Sequence, residues 1–297
     1  MDLIIIGAGP AGIQAGIHAA RAKVSVVIIG KLNDSAMYGA HVENYFGIPG
    51  KTNGSDILRT GLEQARSFGA EYLEENVIGI ERSGSGFAVR TENGSSVTSK
   101  AMILASGVSR KKLNVPGEKE LFGKGVSYCA ACDCNFYKGK RVAIIGDGSE
   151  AAASAELMTS YASAVYWVSK ETEASEHMIS KAKSAGAEMI KAKLEKIIGK
   201  EKVTSVKLSD GPEISVDGVF IELGARSSSD LAMDVDVIPD TDGTIKADDK
   251  CRTSVAGVYA CGDVTGKPWQ IAKAAGQGAV AGINAAAYIK GNPSGDE

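Results

Sequence analysis

Two stretches of the chain repeat one pattern: a short unbroken apolar run, a glycine-rich turn, a segment of helical length and a second apolar run. In the first, Leu3–Ile6 leads into Gly7-Ala8-Gly9-Pro10-Ala11-Gly12, a helix over Ile13–Lys23 and a buried strand over Val24–Ile29. In the second, Arg141–Ile145 leads into Gly146-Asp147-Gly148-Ser149-Glu150-Ala151, an alanine-rich helix to about Ala162 and a strand over Ala164–Val168. Apolar runs of strand length that alternate with helical segments predict parallel sheets covered by helices.

Shorter elements surround these units. Val77–Glu81, Gly86–Thr91 and Ser95–Ser99 read as strands between Gly, Asn and Ser turns, and Ala101–Ala105 as an apolar strand closed by Ser106-Gly107. Arg110–Phe122, with Pro116-Gly117, reads as a connector between domains. Beyond the second unit, Val203–Leu208, Glu213–Val216 and Gly218–Leu223 read as strands. Val255–Ala260 is a last strand ending at Cys261-Gly262-Asp263, Gln270–Ile289 a long helix and Gly291–Glu297 a frayed tail. The expected fold is α/β: two Rossmann-like three-layer nucleotide-binding domains, the second inserted into the first. Residues 1–107 with 236–297 form one domain, and 108–235 form the other.

Composition narrows the function. The 297 residues are 44% hydrophobic and 23% charged, which suits a globular chain rather than a disordered one. A net charge of −3 gives no basic surface for nucleic acid. No run approaches the ~18 apolar residues of a membrane span. Met1–Ile6 carries an acid where a secretory signal has bases, so a cytoplasmic protein without a membrane partner is expected.

The chemistry sits in the turns and in one cysteine cluster. In the first turn, Gly7 permits the bend, Gly9 lets the backbone approach a diphosphate, and Gly12 lets the helix pack on the strand. The diphosphate then meets the positive start of the helix. The acid that usually binds a ribose about 20 residues on is absent, since Gly30-Lys31 stands there. Of five cysteines, Cys129, Cys132 and Cys134 lie together, with Cys251 and Cys261 apart. Cys129-Ala130-Ala131-Cys132 has the spacing of an exchanging thiol pair, and Asp133 beside it is a proton source when a thiolate leaves. The remaining cysteines and His18, His41 and His177 have no zinc spacing, so no metal is expected.

With Gly7–Gly12, His41-Val42-Glu43-Asn44-Tyr45, Ile103-Leu104-Ala105-Ser106-Gly107, Gly125–Asp133 and Gly257–Asp263 in that order, the chain resembles the low-molecular-weight thioredoxin reductases along nearly its whole length. The resemblance implies FAD, held by Gly7, Gly9, Pro10, Ala11, Gly12, Asn44, Ser106, Gly107, Gly262, Asp263, Gln270, Ile271 and Ala272. It implies Cys132 facing the flavin, Cys129 attacking a thioredoxin disulfide and Asp133 donating the proton. It also implies a homodimer whose domains rotate between flavin and thioredoxin.

The second turn departs from that family. Members that use NADPH carry a histidine and two arginines after the second strand of this unit and a further arginine a turn later. Here Ser169-Lys170-Glu171 and Ser175 stand at those places. Turning attraction into repulsion near ~4 Å shifts phosphate binding by a few kcal/mol. Asp147 adds an acid inside the turn, and Glu222-Leu223-Gly224-Ala225-Arg226 replaces the family's stretch near the end of the domain. Weak NADH binding is one reading. The other is a different donor, for which ferredoxin-dependent flavin thioredoxin reductases are the precedent. An acidic ferredoxin would dock on cations, and Arg110-Lys111-Lys112 and Lys138-Gly139-Lys140-Arg141 flank the cysteine segment, although solvated charges at a hinge look the same. Two further readings share the residues: a dithiol oxidase that passes electrons to oxygen, and a flavin-storing redox sensor without turnover.

Overall fold

The computed structural model describes residues 1–108, 113–209, 211, 213–223, 228–241 and 243–291, and of Cys132 the backbone alone. Helices run over α1 (Pro10–Arg21), α2 (Gly54–Ser67), α3 (Ala130–Asp133), α4 (Ser149–Thr159), α5 (Glu176–Ser184), α6 (Ser228–Met233) and α7 (Ile271–Ile289). The chain forms two compact units, one of residues 1–91, 95–108 and 227–297, the other of 92–94 and 109–226.

The first unit is built on a parallel sheet in the order Val258–Ala260, Ala101–Leu104, Leu3–Ile6, Val26–Ile29, Glu71–Leu73. Alternation along the strands sorts its two cores. Leu3, Ile5, Ile28 and Ile103 pack with α1, α2 and α7, while Ile4, Ile6, Val27 and Leu104 pack with Val77, Ile80, Phe87 and Val89 of a small antiparallel sheet. Three layers result. α1 and α7 touch backbone to backbone: a Cβ on Gly278 or Gly282 would lie 2.2 or 2.4 Å from the carbonyl oxygens of Ala11 and Ala15. Residues 228–235, expected with the inserted domain, pack in the first unit instead, because Leu231, Ala232 and Val235 complete its second core.

The second unit repeats the slots: Val126–Ser127, Gly218–Ile221, Arg141–Ile145, Ala164–Val168, Glu188–Ile190, all parallel. One face packs on the antiparallel strands Leu194–Gly199, Val203–Leu208 and Glu213–Ser215 through Ile145, Val219, Ile197 and Val206. In both units the glycine turn follows the central strand, and the chain crosses to opposite sides of it. That is the switch point at which doubly wound sheets bind ligands.

Several ends differ from the sequence pattern for local reasons. α1 starts at Pro10 because proline suits the first helical position. The last strand is only Val258–Ala260, since Gly257 sits at φ 80 and breaks the extension. Gln270 is the extended residue before α7 rather than part of it. The tail 292–297 lies outside the described residues.

Candidate functional site

The first glycine turn is shaped by exclusion. Gly7 has φ 115, and a Cβ on it would lie 2.5 Å from the Ala105 carbonyl oxygen. A Cβ on Gly12 would lie 1.9 Å from the Gly7 carbonyl oxygen. Beside Gly9, by contrast, only Ser35 Oγ comes near, at 3.5 Å. α1 begins here with no side chain capping it and no acid in its first turn. Its leading N–H groups and positive end therefore suit a diphosphate.

The C-terminal elements complete this cradle. Gly262 N donates to Gln277 Oε1 at 3.0 Å, and Lys273 Nζ donates to the carbonyls of Gly262 (3.0 Å) and Gly266 (2.5 Å) and to Thr265 Oγ1 (3.1 Å). The turn that presents Asp263 is thus held from α7. Asp263 Oδ1 is buried and accepts no hydrogen bond. Burial pushes its carboxyl above the ordinary range, partly offset by the Lys273 cation. A buried acceptor without a donor fits a hydroxyl-bearing cofactor chain, and the open space beside Gly9 fits its diphosphate. Asn44 Nδ2 donates to Gln270 Oε1 at 3.4 Å, which unites two residues far apart in sequence. Ser106 N donates to Ser228 Oγ at 3.1 Å, so α6 braces the turn that ends at Gly107.

The cysteine segment lies in the second unit. Cys129 N donates to Ser127 Oγ at 3.1 Å, and Asp133 N donates to the Cys129 carbonyl at 3.3 Å, which closes the single turn of α3. Cys129 is disulfide-bonded, while Cys134, Cys251 and Cys261 are free and buried. Cys134 Sγ points to the Ala131 carbonyl at 3.5 Å, a buried thiol without access to a substrate. Burial raises the Cys251 thiol to about 11 and holds Cys261 higher still, so neither is a ready thiolate. Tyr128 donates to Glu118 Oε1 at 2.7 Å; burial first, then Glu118, pushes its phenol upward. Glu118 also accepts from Leu113 N and Val115 N, so the buried carboxyl ties the connector to the residue before Cys129.

Residues 1–278 match the pyridine nucleotide-disulphide oxidoreductase family. The chain belongs to that family. A thioredoxin reductase of Listeria innocua is 36% identical over 97% of this chain and 94% of its own. Among solved structures, the atypical thioredoxin reductase TRi from Desulfovibrio vulgaris Hildenborough matches with a TM-score of 0.85 at 33% identity, covering 98% of both chains. A ferredoxin-flavin thioredoxin reductase from Clostridium acetobutylicum matches with a TM-score of 0.67 at 33% identity, also covering 98% of both. This pyridine nucleotide-disulphide oxidoreductase is accordingly a flavoprotein of thioredoxin reductase type, with FAD as its cofactor.

The second glycine turn of this oxidoreductase is packed at Gly146 much as the first is at Gly7, and differs in what bonds its backbone. A Cβ on Gly146 would lie 1.8 Å from the Glu222 carbonyl oxygen, and the Gly146 carbonyl accepts from the fully buried Trp167 indole at 2.8 Å. The Asp147 carbonyl accepts from Thr172 Oγ1 at 2.9 Å, Glu173 N at 2.7 Å and Ala174 N at 3.2 Å. Residues 172–174, which follow the place of the missing arginines, are thereby folded back on the turn. Ser169 Oγ bonds the Glu171 carbonyl, and Ser175 caps α5 by accepting from Met178 N at 3.4 Å. Ser169 and Ser175, at two of the positions where a phosphate clamp would stand, thus bond backbone groups, and Ser175 Oγ also donates to the Glu92 carbonyl at 2.9 Å. Glu150 lies in the first turn of α4, and Ser149 Oγ there is buried without a partner.

Glu222 has a second contact that sequence reasoning missed: its Oε1 accepts from Ala130 N at 2.7 Å. Leu223 is described and Gly224-Ala225-Arg226 lie outside the described residues, as do Arg110-Lys111-Lys112. Lys138, Lys140 and Arg141 are exposed, with the Lys140 amine 5.2 Å from the Tyr137 ring. Trp269 is 53% exposed, with the Lys267 amine 5.3 Å from its ring. Among the described residues no helix is long and apolar enough to cross a membrane.

Proposed function

We propose that the protein reduces the disulfide of a thioredoxin-like partner through the Cys129–Cys132 pair, and that reduced ferredoxin rather than NADPH is the electron donor. FAD supplies the conversion between single electrons from such a donor and the two-electron reduction of a disulfide. In this reading Cys132 faces the cofactor, Cys129 attacks the partner's disulfide, and Asp133 gives a proton to the departing thiolate. Gly7, Gly9, Pro10, Ala11, Gly12, Asn44, Ser106, Gly107, Gly262, Asp263, Gln270, Ile271 and Ala272 hold the cofactor. The protein works as a homodimer in the cytoplasm.

One observation carries the choice of donor: residues 172–174 fold back on the second turn through bonds to the Asp147 carbonyl, so the segment that follows the strand, where the family's arginines stand, is engaged with the turn's own backbone. Asp147, Glu150 and Glu171 surround that turn with negative charge, which repels a dinucleotide phosphate. The likeness to the ferredoxin-flavin thioredoxin reductase of Clostridium acetobutylicum supports the same reading. Anaerobic mixing of the oxidised holoenzyme with NADPH, NADH and reduced ferredoxin tests it. Flavin colour is expected to bleach with ferredoxin alone, followed by reduction of added thioredoxin. Rapid bleaching by NADPH or NADH overturns the donor assignment, and oxygen uptake driven by a small dithiol in place of thioredoxin reduction overturns the direction of flow.

A further inference from the structure

We infer that Lys273 is a positioning residue for FAD: its ammonium holds the turn over residues 262–266 in the shape that offers Asp263 to the cofactor, without touching the cofactor itself. Lys273 is the third residue of α7. Its Nζ donates to the Gly262 carbonyl at 3.0 Å, to Thr265 Oγ1 at 3.1 Å and to the Gly266 carbonyl at 2.5 Å. An ammonium has three N–H donors, and all three are engaged by this one turn. Gln277, four residues on and on the same face of α7, meets the complementary groups. Its Oε1 accepts from Gly262 N at 3.0 Å and from Thr265 Oγ1 at 2.9 Å. Lys273 thus answers the turn's acceptors and Gln277 its donors. The clasped turn lies against the start of α1, since a Cβ on Gly262 would come 2.8 Å from the Ala11 Cβ.

Local chemistry disfavours a lysine at this place. A cation in the first turn of a helix opposes the helix dipole, and no acid stands in that turn of α7 to offset it. Burial also draws the Lys273 ammonium below its ordinary value, which the Asp263 charge opposes. A residue that breaks a local rule is retained for a gain elsewhere, and here the gain is the turn. Gly262 at φ 82 and Gly266 at φ 99 bend the chain so that their carbonyls converge on one point, and converging carbonyls without a donor between them cost stability. Asp263 lies between those glycines with Oδ1 buried and unbonded, and Lys273 is the cation that offsets the effect of burial on its carboxyl. Without the ammonium, the two carbonyls turn apart and carry Asp263 with them. The inference rests on the reading that Gly262 and Asp263 hold FAD.

The test uses the FAD-loaded full-length protein at neutral pH. It is diluted in steps and passed through a membrane that retains protein, and flavin fluorescence of the filtrate gives the dissociation curve. Lys273→Met keeps the length of the side chain and removes its charge and donors. It is expected to weaken FAD binding about tenfold, with circular dichroism at the same dilutions unchanged. Lys273→Gln keeps two donors, is expected to lose less, and takes the place of the first variant if that one does not fold. Lys267→Met removes an exposed cation and is expected to leave the curve in place. A role in the fold alone would lower the unfolding midpoint of the Lys273 variant and leave its dissociation curve unmoved. That result, or an equal shift in Lys267→Met, overturns the inference while leaving the cofactor at this turn. An Asp263→Ala variant that holds FAD as tightly as the wild type overturns the placement of the cofactor itself.

Discussion

The two glycine turns occupy the same slot of the same kind of sheet, yet they are prepared for opposite things. The first has a proline-led helix with no acid in its opening turn and a hollow beside Gly9. The second has Asp147 within the turn, Glu150 at the helix start and its carbonyl bonded by residues 172–174. Strand–turn–helix architecture alone therefore does not make a nucleotide site. The backbone sets where a diphosphate could lie, and the charges and the following loop decide whether it is welcome.

Glycine substitutions, one in each turn, separate the two most sharply. Gly12→Ala and Gly146→Ala each place a Cβ within 2 Å of a carbonyl oxygen and are expected to cost about 3 kcal/mol or more. Only Gly12→Ala is expected to lose FAD, read as flavin absorbance per protein; loss of flavin in both would erase the distinction. Trp167→Phe leaves the Gly146 carbonyl without its indole partner and is expected to cost about 1–3 kcal/mol in urea unfolding, with flavin content unchanged.

A pH measurement addresses the first unit alone. Asp2 bonds Ser25 N at 2.9 Å and Ser25 Oγ at 2.8 Å, with Lys100 Nζ at 2.9 Å, and these hold its carboxyl at about 2 against an ordinary 3.8. A lowered carboxyl stabilises the fold above its ordinary value and loses that contribution as pH falls towards 2. Asp2→Asn is therefore expected to cost about 1.5 kcal/mol at neutral pH, a cost that shrinks as pH falls through the folded value and is gone only below it, read by unfolding across that window. The smallest effect belongs to the loop over the second turn: Thr172→Val removes one exposed bond to the Asp147 carbonyl. It is expected to cost about 0.5 kcal/mol and to speed amide exchange within 169–175.

What the sequence reveals divides along similar lines. Both units, their central strands and the two glycine turns are legible, because apolar runs beside glycines are local patterns and the order of the motifs is distinctive. The pattern reading does not single out α2, although Leu58, Leu62 and Ala65 recur at helical spacing and all point into the core. The loss of a phosphate clamp is visible in Ser169-Lys170-Glu171 and Ser175. The fate of those residues is not, since the bonds from Thr172, Glu173 and Ala174 to one carbonyl come largely from backbone donors that any sequence carries. Glu222 stands out as an unusual acid, but nothing local connects it with Ala130. The allegiance of α6 is equally hidden, because Leu231 and Ala232 would suit either core.

The backbone contact between α1 and α7 bears on how the protein is made. The first unit draws strands and helices from the first hundred residues and from the last seventy or so, with Gly278 and Gly282 resting on Ala11 and Ala15. As the chain leaves the ribosome, the intervening unit is almost all contiguous and can close its sheet while the earlier piece still waits for α7. On the proposed reading, in which the first unit holds FAD, cofactor capture waits for α7, and a stalled or shortened chain would carry a finished second unit but no completed first one.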